Sequence, residues 1–167
     1  MAKTFVIPVA GLAIVASIDL QAATREVAFE DAIVEQLRCD TEPSPLPFLQ
    51  AIDKAGRLDK ENAVGFDSVS CYPITGGITV RGMSFDVICS FEENKSAPGW
   101  SDYYVRAPGT SPGQFITLLS QTSEAEMIVW ASTKLGVSDP ERSVGARYLP
   151  GDDRGGSEVS CSGWMVD

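Results

Sequence analysis

Histidine is missing altogether from these 167 residues, and that absence closes off a block of chemistry. Without an imidazole there is no Ser–His or Cys–His nucleophilic pair, no His general base and no His-ligated zinc. Pairs of the form C-x-x-C are also missing, so the four cysteines form neither a thioredoxin-type redox site nor a cysteine metal cluster. Ser-x-x-Lys does not occur, and Ser132-Thr133-Lys134 has the wrong spacing, which leaves Lys134 as a helix-end charge. Positive charge is scarce: 13 Lys and Arg stand against 23 Asp and Glu, for a formal charge of -10. A field of that sign repels phosphate backbones and anionic lipid, which argues against nucleic-acid and membrane-surface roles, and it steers cationic partners inward.

Long apolar runs are missing too, except at the start. Lys3 gives a short positive end, Phe5 to Ile18 an apolar stretch, and Gln21-Ala22-Ala23 a small-residue cleavage site, so Met1–Ala23 reads as a secretory signal peptide. The run is shorter than the roughly 18 residues of a spanning helix. No cysteine follows it to take a lipid. The expectation is a soluble chain over 24–167, released into a periplasm or secreted space after leader cleavage without membrane insertion, and short enough for one domain. In that oxidising setting Cys39, Cys71, Cys89 and Cys161 form two disulfides. Four cysteines allow three connectivities; the preferred one joins Cys39 with Cys71 and Cys89 with Cys161.

The apolar spacing Phe29, Ile33, Leu37 predicts a helix over Glu26–Arg38. Prolines in Asp40–Pro47 end it and start a second helix carrying Phe48, Leu49 and Ile52 as far as Gly56, so the two form a hairpin. Beyond Asn62, β-branched and aromatic residues predict strands at Phe66–Ile74, Ile78–Arg81, Ser84–Glu92, Ser101–Arg106 and Gln114–Leu119. In the third, Phe85, Val87, Cys89 and Phe91 alternate toward the core. Ser123-Glu124-Ala125-Glu126 is a capping box opening a helix to Leu135, with Trp130 as its anchor on the sheet. A last hairpin takes Ser143–Leu149 and Glu158–Met165. The fold class is therefore α+β: an N-terminal helical hairpin on an antiparallel sheet of about 5–6 strands, with one further helix near 123–135.

Several motifs reduce to ordinary structure. Gly109-Thr110-Ser111-Pro112-Gly113 fits the G-x-S-x-G nucleophile pattern, but Pro112 has no N–H for an oxyanion hole and no histidine exists to activate Ser111. Gly151–Glu158 clusters Asp with Gly as a Ca²⁺ loop does, yet lacks EF-hand spacing and carries Arg154. Asn94-Lys95-Ser96 is a glycosylation sequon only in a eukaryotic secretory route. A carboxylate-dependent glycosidase is the remaining enzymatic alternative, and none of the 23 acids is singled out as its pair. No catalytic residue, metal or cofactor is assigned. The adjacent Tyr103 and Tyr104 would face opposite sides of their strand, and with Trp100 they form an aromatic loop suited to binding.

Ser143-Val144-Gly145-Ala146-Arg147-Tyr148 resembles the S-G-A-R-Y inhibitory segment of the periplasmic C-type lysozyme inhibitors. The resemblance implies that Ser143, Arg147 and Tyr148 enter a lysozyme cleft, flanked by Trp100 and Tyr103. Val144 stands where that segment has a further serine, no W-x-K-G follows, and the two N-terminal helices are extra to that small barrel. The family is therefore not assigned. The leading expectation is an exported, non-enzymatic binding protein for a cationic protein or a small ligand. Its nearest alternative is an inhibitor or immunity protein against a cationic cell-wall hydrolase.

Overall fold

The computed structural model describes residues 28–40, 43–104 and 114–161. The leader Met1–Ala23 and the Gly109–Gly113 motif lie outside the described residues, as does everything beyond Cys161. Helix α1 occupies 28–37 and α2 Leu46–Lys54. In α1 the four-residue spacing works as expected: Ile33 and Leu37 are wholly buried and Phe29 packs against the same core. Pro45 and Pro47 sit in the opening turn of α2, where an absent N–H is harmless, and Leu46, Phe48, Leu49 and Ile52 are buried beneath it. Each such side chain contributes roughly 1.5–3 kcal/mol by leaving water.

Six antiparallel strands follow in the spatial order β1-β2-β3-β4-β6-β5. They are β1 Val64–Phe66, β2 Val69–Val80, β3 Met83–Phe91, β4 Phe115–Ser120, β5 Val144–Ala146 and β6 Ser157–Ser160. Asp67-Ser68 and Arg81-Gly82 make the two tight turns, with positive φ at both central residues, so their twist matches that of the paired strands. Helix α3 Glu124–Trp130 opens on the Ser123/Glu126 capping box and widens into a π turn over Ala131–Leu135 before left-handed Gly136. A short helix α4, Pro140–Ser143, takes the residues just before β5. Trp130 anchors α3 as expected: its ring meets Phe85 edge-on at 5.5 Å and its Nε1 donates to Arg81 O at 3.2 Å. Arg81 N donates to Glu30 Oε1 at 2.5 Å, so α1 and α3 grip the same hairpin turn.

The structure corrects five sequence expectations. Of the strand expected at Ser143–Leu149 only Val144–Ala146 forms, since Ser143 ends α4 and Arg147 opens the loop; it pairs with Ser157–Ser160, and the part of Glu158–Met165 beyond Cys161 lies outside the described residues. The disulfides are Cys39–Cys161 and Cys71–Cys89, not Cys39–Cys71 and Cys89–Cys161. Cys71 and Cys89 lie directly opposite each other on β2 and β3, 3.9 Å apart at Cα, so each is the other's nearest thiol. Phe66–Ile74 and Ile78–Arg81 are not two strands: β2 runs through both with a bulge between Pro73 and Ile78. Gly77 is required there, since a Cβ would lie 2.9 Å from Phe85 O, and Arg57 donates to Gly77 O from outside. The alternation along β3 slips at that bulge. Phe85 and Ile88 enter the large core shared with the helices, whereas Val87 and Cys89 join a smaller cluster.

The last correction concerns the strand expected at Ser101–Arg106. Trp100–Asp102 is a 3₁₀ turn entered through left-handed Gly99. Such a turn rotates successive side chains by about 120° instead of 180°, and Tyr103 and Tyr104 both become buried.

Candidate functional site

The large core joins α1, α2 and α3 to one face of the sheet. The strand register defines what occupies the other. Val64, Cys71, Cys89, Thr117 and Ser160 are successive partners across five strands, so they share one row on this helix-free face. Phe66 opposite Val69 and Phe91 opposite Phe115 make a second, aromatic row beside it. Val87, Leu119 and Glu158 make a third. A sheet face of this composition needs cover, and the loop 147–156 gives part of it. Leu149 packs on Cys71, Cys89, Val87 and Leu119.

Arg147 fastens that loop. Its side chain is 1% exposed, and its Nη1 donates to Asp86 Oδ1 at 2.6 Å while Nη2 donates to Asp152 Oδ2 at 2.9 Å. Arg154, 53% exposed, closes the square on the same two carboxylates, at 3.1 Å to Asp86 and 2.7 Å to Asp152. The hydrogen bonds from Arg154, and then those from Arg147, hold the Asp152 carboxyl far below the usual carboxylate range. Gly156 ends the loop at φ 135°, with a Cβ position only 2.1 Å from Ser120 O, which leaves no room for any other residue.

Beside the fastened loop the described residues leave a cavity of about 190 Å³. Phe66, Val69, Phe115 and the exposed Tyr148 enclose it, with Cys89 and Thr117 at the sheet and Glu158 and Gln114 among its polar neighbours. Tyr148 holds its place by an edge-on contact with Phe66 at 5.5 Å, and its N donates to Glu158 Oε2 at 3.3 Å. Burial pushes the Glu158 carboxyl above its ordinary value of 4.5. A raised carboxyl favours the folded state fully below that value and loses the benefit as pH rises through the folded pKa. Glu158→Gln is therefore expected to remove a fall in thermal midpoint that sets in as pH rises above about 4.5, as read by melting the two chains over a pH series.

The five residues singled out by the sequence are not gathered at one place. Ser143 is buried at the end of α4, Arg147 is enclosed by its two aspartates, and of these three residues Tyr148 alone presents a largely exposed side chain to solvent. Tyr103 is buried, its hydroxyl donating to Asp53 Oδ2 at 2.7 Å with Lys60 lying 4.3 Å over the ring. Desolvation first, and then the hydrogen bond to Asp53, raise its pKa. Trp100 is half-buried, stacked at 5.4 Å on Tyr104 with Nε1 donating to Glu92 O. Trp100 and Tyr103 thus pin the 3₁₀ turn to β3 and α2. No protein-family model, curated protein or solved structure matches this chain.

Sequence reasoning missed the residues that build the cavity. Phe66 and Val69 face each other across the Asp67-Ser68 turn, but Phe115 lies 46 positions beyond Val69 and joins them only through the strand register, for which no local signal exists. Asp86 carries no local signal of its role, because its partner Arg147 lies 61 positions later. Among the described residues no group of three His, Cys, Asp or Glu is placed to hold a metal ion. In Gly151–Glu158 the Asp152 carboxylate is occupied by two arginines.

Proposed function

We propose that this chain is an exported, non-enzymatic binding protein whose helix-free sheet face takes a small apolar or aromatic group carrying a hydrogen-bond donor. The observation that carries this reading is the cavity beneath Tyr148. A sheet face rich in Phe, Val and Cys ordinarily packs solid; here, among the described residues, the loop 147–156 leaves an apolar recess with a desolvated carboxyl beside it. Its size suits one ring or one side chain rather than a large ligand. The two disulfides suit an oxidising compartment. Insertion of Ser143–Tyr148 into a hydrolase draws less support from this geometry, because the Arg147 guanidinium is committed to Asp86 and Asp152.

The test uses indole, and benzofuran as the same shape without the N–H. Indole at millimolar concentration is expected to shift the amide resonances of Phe115 and Thr117. Benzofuran should bind on the order of tenfold more weakly, having no donor for the carboxyl. Val69→Trp fills the recess and should abolish both responses while leaving the melting temperature near that of the parent. If no shift appears at Phe115 and Thr117 with either ring, the reading is overturned.

A further inference from the structure

We propose that the cleft beside Glu92 recognises an alkyl cation, the side chain of a lysine or arginine presented by a basic partner protein. The site rests on the reading of this chain as a binding protein, but not on the apolar cavity. Glu92 follows the last residue of β3 and is 4% exposed. Its Oε1 accepts from Asn94 N at 2.9 Å, and the Gln114 amide, turned with its nitrogen inward, donates to both carboxylate oxygens at 2.9 Å. All of these donors are neutral. Among the described residues every ion pair is made elsewhere, at Asp31, Asp40, Asp53, Asp86, Asp152 and Glu30. A buried carboxylate that only neutral donors reach among the described residues is costly to keep charged, and a cation reaching it from outside lowers that cost.

The surroundings select the kind of cation. An open cleft of about 450 Å³ leads to Glu92 between Pro43 and Pro47 on one wall and Pro98 on the other. Gln50 Nε2 donates to Pro98 O at 3.0 Å and ties the walls together. Rigid proline rings offer apolar surface to an aliphatic stem, and the single carboxylate at the end keeps a lone pair on Oε2 for the charged head. One carboxylate is too few oxygens for a hard metal ion. An anion would meet repulsion, whereas the formal charge of -10 draws a basic protein surface toward the molecule and raises its encounter rate.

Three probes titrated into the isotopically labelled, disulfide-bonded full chain test the site: the Nα-acetyl methylamides of lysine, arginine and norleucine. The two cations are expected to shift the amides of Asn94 and Gln114, and the neutral norleucine derivative to leave them in place. Glu92→Gln keeps the shape and removes the charge, so it should weaken the cationic probes at least about tenfold, the loss of one charge-assisted hydrogen bond. Its melting temperature should hold or rise, since a buried charge met only by neutral donors among the described residues is gone. Equal binding by norleucine, or unchanged affinity in Glu92→Gln, overturns the proposal. A free polyamine as the ligand is separated by a fourth titration: spermidine binding more tightly than a basic nonapeptide of alternating lysine and glycine would overturn the partner-protein assignment. Failure at Asn94 and Gln114 with indole still shifting Phe115 removes this site alone; silence at both places removes the binding reading as well.

Discussion

Replacing Cys39 and Cys161 together by serine is expected to lower the unfolding free energy by about 5 kcal/mol, against about 3 kcal/mol for the Cys71/Cys89 pair. The difference follows from the chain that each bridge closes. Cys39–Cys161 spans 122 residues and Cys71–Cys89 spans 18. The longer closure removes more freedom from the unfolded chain, by a logarithmic margin. The short loop lies inside the long one, and cutting across it shortens the larger loop too little to change the ranking. Folded-state contacts act in the same direction. Strands β2 and β3 remain paired on both sides of Cys71 and Cys89 after that bridge is lost. By contrast, the segment after α1 is joined to the end of β6 covalently, and α1 must then stay docked through Ile33, Val34 and Leu37 and the contacts at Arg81. For a domain with a total stability of about 5–15 kcal/mol, the loss of about 5 brings partial unfolding within reach of mild denaturant. Guanidinium denaturation of the two double variants checks the order. Equal midpoints, or peptide mapping that links Cys71 to any residue but Cys89, would contradict it.

The correct disulfide pairing was out of reach of the sequence for a reason that the bulge makes concrete. Counting back from the Arg81-Gly82 turn in an unbroken hairpin, Cys71 would face Glu92. Between Pro73 and Ile78, β2 advances five residues while β3 advances two from Phe85 to Val87, and the three-residue surplus brings Cys71 opposite Cys89. That surplus is written only in how Thr75, Gly76 and Gly77 fold around Arg57. Local signals fared better wherever a single segment decides its own structure. The spacing of Phe29, Ile33 and Leu37, the prolines before α2 and the capping box at Ser123 all produced the expected helices. At Tyr103 and Tyr104 local propensity was overridden by tertiary bonds, the hydroxyls reaching Asp53 and Ser90 from a 3₁₀ turn. The candidate site suffered most, because its parts are register partners and ion pairs distant in sequence. Tyr148 was visible as an aromatic residue in a loop; the cavity beside it was not.

Arg147→Met should cost about 3 kcal/mol of stability, whereas Arg154→Ala should cost under about 1 kcal/mol, although both arginines pair with the same aspartates. Exposure decides between them. The Arg147 side chain is 1% exposed and Asp152 11%, so removing the guanidinium takes away the buried cation and leaves Asp86 and Asp152 with only the half-exposed Arg154 between them. Arg154 is 53% exposed, and water replaces much of what its removal takes away. The loop 147–156 should loosen in Arg147→Met, exposing Leu149 and the row of Cys71 and Cys89 beneath it. The pH dependence has a definite sign. Asp152 titrates below its unfolded value, so its contribution is present above about pH 4 and is lost only as pH falls through the folded pKa. The parent chain should therefore keep the loop closed at pH 4, with Arg147→Met already open at pH 7. Urea midpoints at both pH values, together with hydrogen exchange at Leu149, measure this. An Arg147→Met chain as stable as the parent would mean that the guanidinium is not what holds the loop. Arg147 would then be available to a partner, as the S-G-A-R-Y resemblance implies.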